Sequence, residues 1–290
     1  MARINETRRH RALRATPGKT PTRPSGRTSR ETRQAKQAKK AKAEFDRELG
    51  AAAEVQASLL PPKIPQIPGY DIYAYYRSAK EVGGDYYDFF PLDAQRLGLV
   101  VADVSGKGVP GAMVMASTRT LLRVLGPMSG SCAETLKQTN FHVARDVRRG
   151  MFVTAIMAVL TVETRQMTVC SAGHNPMVVY KERAQKCGIL NPGGIALGFD
   201  KGPNFDRILK ESTITLEPGD RVVLYTDGVV EAMNAKHEEY GEDRFYQFVL
   251  THARMTSKDF VRALVRDLDD HKGKAEQHDD ITIATIRLLA

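Results

Sequence analysis

Between residues 151 and 181 three strand-like segments follow one another with no room for a helix between them: MFVTAIMAVLTV (151–162), QMTVCSA (166–172) and PMVVYK (176–181). Each is β-branched or aromatic and bounded by turn residues. A parallel crossover needs a dozen or more residues, so links this short predict antiparallel hairpins and disfavour a doubly wound parallel sheet. Four more segments read the same way: DIYAYYR (71–77), RLGLVVADV (96–104), DRVVLYTD (220–227) and DITIATIRLL (280–289). Helical periodicity covers Pro110–Val124, Cys132–Val147, Glu242–Ala253 and Ser257–Asp270. The expected class is α+β, with two antiparallel layers covered by helices.

Charge divides the chain before Tyr70. Residues 1–50 hold 15 of the 43 Lys+Arg and 5 of the 34 Asp+Glu, a net of +10, which leaves −1 for the remaining 240. Residues 1–42 carry few large apolar side chains and are expected to be a disordered basic tail. Such a tail can meet nucleic acid or an anionic surface by charge alone, although no aromatic residue interleaves the cations to stack on bases. Residues 43–62 are expected to form a helical linker, with Phe45, Leu49, Ala52, Gln56 and Leu59 in heptad spacing and Gln56 as its polar interruption. Pro61-Pro62 stop it, and residues 63–290 form the remaining domain.

No run approaches the 18 or so apolar residues of a membrane span, mean hydropathy is −0.36, and the basic start lacks the apolar stretch of a signal peptide. A cytoplasmic, non-transmembrane protein is expected. Cys132, Cys170 and Cys187 are odd in number, lack metal-clip spacing, and are read as small core residues.

The chemistry is carried by aspartates beside strands. Asp85 follows Gly83-Gly84, Asp103 closes the run LGLVVAD, Asp227 closes RVVLYTD, and Asp279-Asp280 precede ITIATI. A carboxylate at the end of an apolar strand is partly desolvated and needs a partner. Lys107 is almost the only cation in these loops, so a divalent cation is the natural counter-charge. Carboxylate and carbonyl donors suit Mg²⁺ or Mn²⁺ rather than Zn²⁺. Three or four aspartates exceed the needs of one ion and fit two, a clamp that also lowers the pKa of a water for in-line attack on phosphorus. Each motif alone is also an ordinary turn or loop cap; their joint occurrence in this order raises the reading above that.

At these residues, from about Glu54 to Leu289, the chain resembles the bacterial SpoIIE/RsbU-like branch of the PPM (type 2C) metal-dependent protein serine/threonine phosphatases. The matching pieces are AAEVQASLLPP, EVGGDYYDFF, VADVSGKGVPGAMVMA, MFVTAIMAVL, SAGHNP, GGIALG, LEPGDRVVLYTDGVVEAMN and DDITIATI. The resemblance implies a sandwich of two antiparallel sheets flanked by helices and a site binding two Mn²⁺ or Mg²⁺ ions. In it Asp103 bridges the ions, the Val104 carbonyl and Asp85 bind the second, and Asp227 and Asp279 bind the first, with Asp279 preferred over Asp280. It further implies a phosphorylated STAS-domain anti-sigma-factor antagonist as substrate, and control through the helix at 43–60 by an activating partner or by dimerisation.

The pattern departs from the type 2C enzymes of eukaryotes, in which His follows shortly after the bridging aspartate; here Val104 and Ser105 follow Asp103. His174 belongs to another loop and is read as pinning the turn before Pro176, so the proton for the departing serine oxygen is expected to come from metal-bound water. Gly106-Lys107-Gly108 lacks the spacing of a phosphate loop. Lys107 is read either as a point charge for substrate phosphate or as a solvated lysine, and Asp88 either as orienting a metal-bound water or as strand-edge packing. The alternative to an enzyme is a pseudophosphatase that holds phosphoprotein without hydrolysing it.

Overall fold

A computed structural model describes residues 29–290. Its first element, α1 (Ser29–Leu59), begins fourteen residues before the expected linker helix, because 29–42 are rich in Ala, Lys, Gln and Arg, all strong helix formers. The reading of 1–28 as disordered lies outside the described residues. The described residues divide into two units after Asp46, 29–46 and 47–290. In the first, Phe45 is exposed. In the second, the α1 residues Leu49, Ala52, Ala53 and Leu59, and Leu60 just beyond them, are half-buried and Gln56 is buried, and the Arg119 side chain donates to the Leu59 carbonyl (2.6 Å), fixing the helix end.

The larger unit continues with β1 (Tyr70–Arg77), β2 (Tyr86–Pro91), β3 (Arg96–Val104), α2 (Val109–Ser129), α3 (Cys132–Asp146), β4 (Val153–Thr161), β5 (Gln166–Ala172) and β6 (Met177–Lys181). It closes with β7 (Lys186–Leu190), α4 (Pro203–Ile208), β8 (Glu211–Thr215), β9 (Arg221–Tyr225), α5 (Glu242–His252), α6 (Ser257–Lys272) and β10 (Ile281–Leu288). The strands form two sheets, in orders β1-β10-β9-β6-β7 and β2-β3-β4-β5-β8, and every strand pairing is antiparallel. The short link between β4 and β5 makes the expected hairpin; the one between β5 and β6 does not, because it carries the chain from one sheet to the other, where β6 pairs with β7 and β9.

The sheets pack face to face over one core, and each buries its outer face under a helix pair. In β3, Leu97, Leu99 and Val101 join the core between the sheets, while Val100, Ala102 and Val104 join the core under α2 and α3. Burial on both faces explains why this strand reads as a continuous apolar run. Likewise β9 sends Val222 and Leu224 inward and Val223 and Tyr225 outward to α5 and α6. Helix boundaries follow local chemistry. Pro110 occupies the first turn of α2 and left-handed Gly130 ends it; the Ser131 and Thr256 hydroxyls cap α3 and α6 by accepting from the amides of Glu134 and Asp259 (both 3.1 Å).

The remaining strands missed in sequence are β2, β7 and β8, all edge strands; β7 and β8 are half-exposed, and their pairing comes from neighbours rather than their own pattern. Cys132 and Cys170 are buried and Cys187 half-buried, all free, and burial pushes the Cys170 thiol up to about 12, which suits inert core residues. Among the described residues, no helix is long and apolar enough to cross a membrane.

Candidate active site

Along the inner faces of the two sheets the apolar alternation stops at one end and polar side chains replace it. Inward parity continues from Val101 to Asp103 in β3, from Ile156 to Thr154 in β4, from Leu224 to Thr226 beyond β9, and from Ala284 to Thr282 in β10. Asp103 pairs across the ladder with Thr154, and Asp85 stands one step beyond the Tyr86–Ala102 pair, on the same inward parity as Tyr87 and Phe89.

Asp85 is only 1% exposed, and its Oδ2 accepts from the hydroxyls of Thr226 (2.7 Å) and Thr282 (2.5 Å). Burial first, then the neighbouring Asp103 and Asp280, raise its pKa well above the carboxylate range despite those bonds. Burial, then Asp227, Asp279 and Asp280, push Asp103 up to about 7. Burial followed by Asp279 also raises Asp227. These carboxylates therefore crowd one another with too little positive charge. Lys107 meets only Asp279 (Nζ to Oδ2, 2.8 Å) and donates also to the His278 carbonyl (2.6 Å).

The two adjacent aspartates before β10 do different work. Asp280 is 7% exposed and accepts from the amides of Ala79 (2.7 Å), Gly84 (2.7 Å) and Asp85 (3.3 Å), so it ties down the loop that carries Asp85. Asp279 is about one-third exposed; its Oδ1 accepts from the Asp280 amide (3.0 Å), and its Oδ2 faces Lys107. Two glycines are set by close approach rather than by turn type. A Cβ on Gly228 would lie 1.9 Å from the Asp280 carbonyl oxygen, and one on Gly84 would lie 2.8 Å from the Val104 carbonyl oxygen and 3.3 Å from Asp103 Oδ1.

Other expectations separate here. Asp88 does not face this cluster: its buried carboxylate accepts from Arg123 (2.5 and 2.9 Å), the Tyr86 hydroxyl (2.5 Å) and the Phe89 amide (2.8 Å), a closed structural pair under α2. His174 is buried, with Nδ1 on the Thr154 hydroxyl (2.9 Å) and Nε2 on the Tyr225 carbonyl (3.1 Å), and burial pushes its pKa down to about 4. A neutral imidazole with both nitrogens engaged pins strands, in keeping with its reading as a structural residue. Lys107 is exposed but not free, being held by Asp279.

Sequence reasoning passed over Thr226, Thr282 and Thr154, whose inward parity with known core residues was the available signal. It also treated Gln56 as an interruption. Its amide is instead a two-way clamp, donating to the Gly83 carbonyl (2.7 Å) and accepting from the Gly83 amide (3.0 Å), so α1 grips the loop of Asp85.

The donor set of four carboxylates and the Val104 carbonyl, with His174 and the cysteines elsewhere, fits hard divalent cations. Among the described residues no three His, Cys, Asp or Glu side chains are already closed into one ligating group.

Comparison with known proteins points the same way. A family model described as Stage II sporulation protein E (SpoIIE) matches residues 93–289. The phosphoserine phosphatase RsbU of Bacillus subtilis (strain 168) is 31% identical over 247 residues, spanning 84% of this chain and 71% of RsbU. The SiaA-PP2C domain of Pseudomonas aeruginosa shares the fold, with a TM-score of 0.74 at 24% identity over 85% of this chain and 97% of that domain. The RsbU and RsbW domains of a Mycobacterium tuberculosis protein superpose with a TM-score of 0.66 at 26% identity, over 80% of this chain and 64% of that one.

Proposed function

The chain belongs to the SpoIIE family of PPM-type protein serine/threonine phosphatases, and from that premise we propose how it works and on what. Members of this family are metal-dependent. The ions proposed here are two Mn²⁺ or Mg²⁺, which Asp103, Asp85, the Val104 carbonyl, Asp227 and Asp279 would hold, Asp103 serving both. When bound, they orient the phosphate oxygens of phosphoserine or phosphothreonine and lower the pKa of the water that attacks phosphorus. The chain's own residues supply placement. Thr226 and Thr282 aim Asp85, Asp280 and Gln56 hold its loop, and Lys107 keeps Asp279 in place until a cation competes for it. No side chain in the cluster is placed as a general acid, since His174 is engaged at both nitrogens.

The observation that carries this reading is the crowding of Asp85, Asp103, Asp227, Asp279 and Asp280 at one end of the sandwich, where Lys107 meets Asp279 alone by a salt bridge. The test is hydrolysis of p-nitrophenyl phosphate and a phosphoserine peptide with Mn²⁺, Mg²⁺ or EDTA, for wild type and Asp103→Ala. Turnover that needs metal and vanishes with the substitution is expected. Ions bound in calorimetry without turnover would instead make the chain a phosphoprotein-binding module.

The substrate proposed is a phosphorylated STAS-domain anti-sigma-factor antagonist in a partner-switching pathway, supported by the likeness to RsbU. The domain division proposed is a basic tail over 1–42, a regulatory helix over 43–62 and the phosphatase domain over 63–290. Control by an activating partner or by dimerisation through 43–60 predicts that deleting residues 1–60 changes activity or mass in solution. Unchanged values of both would remove it.

A further inference from the structure

Beside the acidic end of the sandwich lies a groove of opposite character. It is a cleft of about 510 Å³ between the end of α3 and the segment leading to α4, and Arg145, Arg148, Arg149 and Lys201 line it together with Phe152 and Phe199. No Asp or Glu lines it, and among the described residues none of its four cations is in a salt bridge, although seven other cations of the chain are. The neighbouring carboxylate of Asp200 is turned away, accepting from the amides of Gly202 (3.0 Å), Asn204 (3.2 Å) and Phe205 (3.1 Å) at the start of α4. The Arg145 guanidinium is held on its own helix, donating to the Phe141 carbonyl and stacking on the Phe141 ring, which leaves Arg148, Arg149 and Lys201 as cations without a side-chain hydrogen bond among the described residues, a local excess on a body whose net charge, from residue 51 onward, is −1. The rings of Phe152 and Phe199 lie 5.2 Å apart, and Phe199 is 70% exposed.

The groove is tied to the site by backbone. The Ser105 amide donates to the Phe152 carbonyl (2.9 Å) and the Phe152 amide donates to the Ser105 hydroxyl (2.7 Å), so the groove floor is laced to the residue two places beyond Asp103. One strand spacing and two residues put the two regions roughly 10 Å apart. Three or four residues of extended peptide cover that distance, at about 3.3–3.6 Å each.

Resting on the phosphatase reading above, the geometry points to this groove as the docking site for an acidic segment of the phosphoprotein substrate. Carboxylates three to four residues from the phosphoserine meet Arg148, Arg149 and Lys201, with the charge of Arg145 behind them, and an apolar side chain between them lies on Phe152 and Phe199. The cluster of carboxylates at the site repels an acidic peptide, and the groove offsets that repulsion at the distance where the peptide leaves the site.

The test compares two phosphoserine peptides that differ only in carrying Glu or Gln three and four residues from the phosphoserine, in Mn²⁺ at low salt. Wild type is expected to favour the Glu peptide by roughly tenfold in kcat/KM, mostly in KM, with the preference shrinking as salt rises. R148E/R149E is expected to lose that preference while hydrolysing p-nitrophenyl phosphate at the wild-type rate, and R148K/R149K to keep it, because charge is what the site uses. Equal turnover of the two peptides by wild type, or a preference that survives R148E/R149E, would overturn the proposal. So would a short single-stranded DNA that displaces the fluorescent Glu peptide better than unlabelled Glu peptide does. If wild type leaves p-nitrophenyl phosphate intact in every metal, the phosphatase reading fails. Anisotropy of the labelled Glu peptide on wild type and R148E/R149E then decides the groove alone, binding lost in the variant supporting it and equal binding overturning it.

Discussion

Asp85 and Asp88 are three residues apart, both buried, and have opposite fates. An odd separation along a strand places them on opposite faces of the sheet. Asp88 points out to α2 and finds Arg123, the Tyr86 hydroxyl and a backbone amide, so its charge is fully met. Asp85 points between the sheets and finds two threonine hydroxyls and the carboxylates Asp103 and Asp280, so its charge is stabilised only in part. Asp220 repeats the first arrangement with Lys181 (2.6 Å) and the amides of Glu182 and Glu217 (both 2.9 Å). The difference separates structure from function: a carboxylate the fold can satisfy is a strut, and one it leaves in the company of other carboxylates is a place for a cation.

The sharpest way to break this comparison is to remove charge from the unsatisfied set. Asp103→Asn should lower metal-dependent turnover of p-nitrophenyl phosphate by at least about 10³-fold, roughly 4 kcal/mol. The same substitution should raise the stability of the metal-free protein by about 1–2 kcal/mol at pH 8, because it removes a carboxylate whose raised pKa means that ionisation costs folding energy. Thermal melts in EDTA and in Mn²⁺ check both signs; a metal-free Asp103→Asn protein less stable than wild type would count against the contrast.

On the satisfied side, Arg123→Leu leaves Asp88 buried without its cation and should cost about 3–5 kcal/mol in denaturant melts. Removing both, in Arg123→Leu with Asp88→Asn, should recover much of that loss, as a strut's replacement can and a ligand's cannot. Between these lies His174, held neutral. Its folded pKa, pushed down to about 4, lies below the ordinary value of about 6.5, so its contribution is fully present above pH 6.5 and is lost as pH falls towards 4. His174→Asn should flatten the acid limb of stability in that window by about 3 kcal/mol. The smallest effect is expected from Thr282→Val, which removes one hydroxyl from Asp85 and should weaken Mn²⁺ binding in calorimetry about fivefold, close to 1 kcal/mol, with the fold intact.

How much of this was legible depended on where each residue's partner lies. The strand ends bearing Asp85, Asp103, Asp227 and Asp279 could be found because a carboxylate directly before or after an apolar strand is a local anomaly. Asp280 could be found but not separated from Asp279: its role as the loop's anchor needs the amides of Ala79 and Gly84, some 200 residues away in the chain. Gln56 looked like an interruption because its partner, the Gly83 backbone, carries no side-chain signal at all. The buried Arg221 gave no warning either; it is satisfied by the carbonyls of Ala253 (2.9 Å) and Met255 and by the hydroxyls of Ser257 (3.1 Å) and Thr285 (3.0 Å).

By itself, the amino-acid order determined that no parallel crossover joins the strands of 151–181, since their links are too short for one, and that acidic side chains stand at strand ends too poor in Lys and Arg to neutralise them; that the second of those links crosses between sheets instead of closing a hairpin was decided by packing. Only the tertiary structure decided which of those carboxylates crowd one another. Strand periodicity assigns each to a face, but a distant arginine, lysine, hydroxyl or amide determines whether that face meets its charge, and such partners are brought together by packing between elements far apart in the chain.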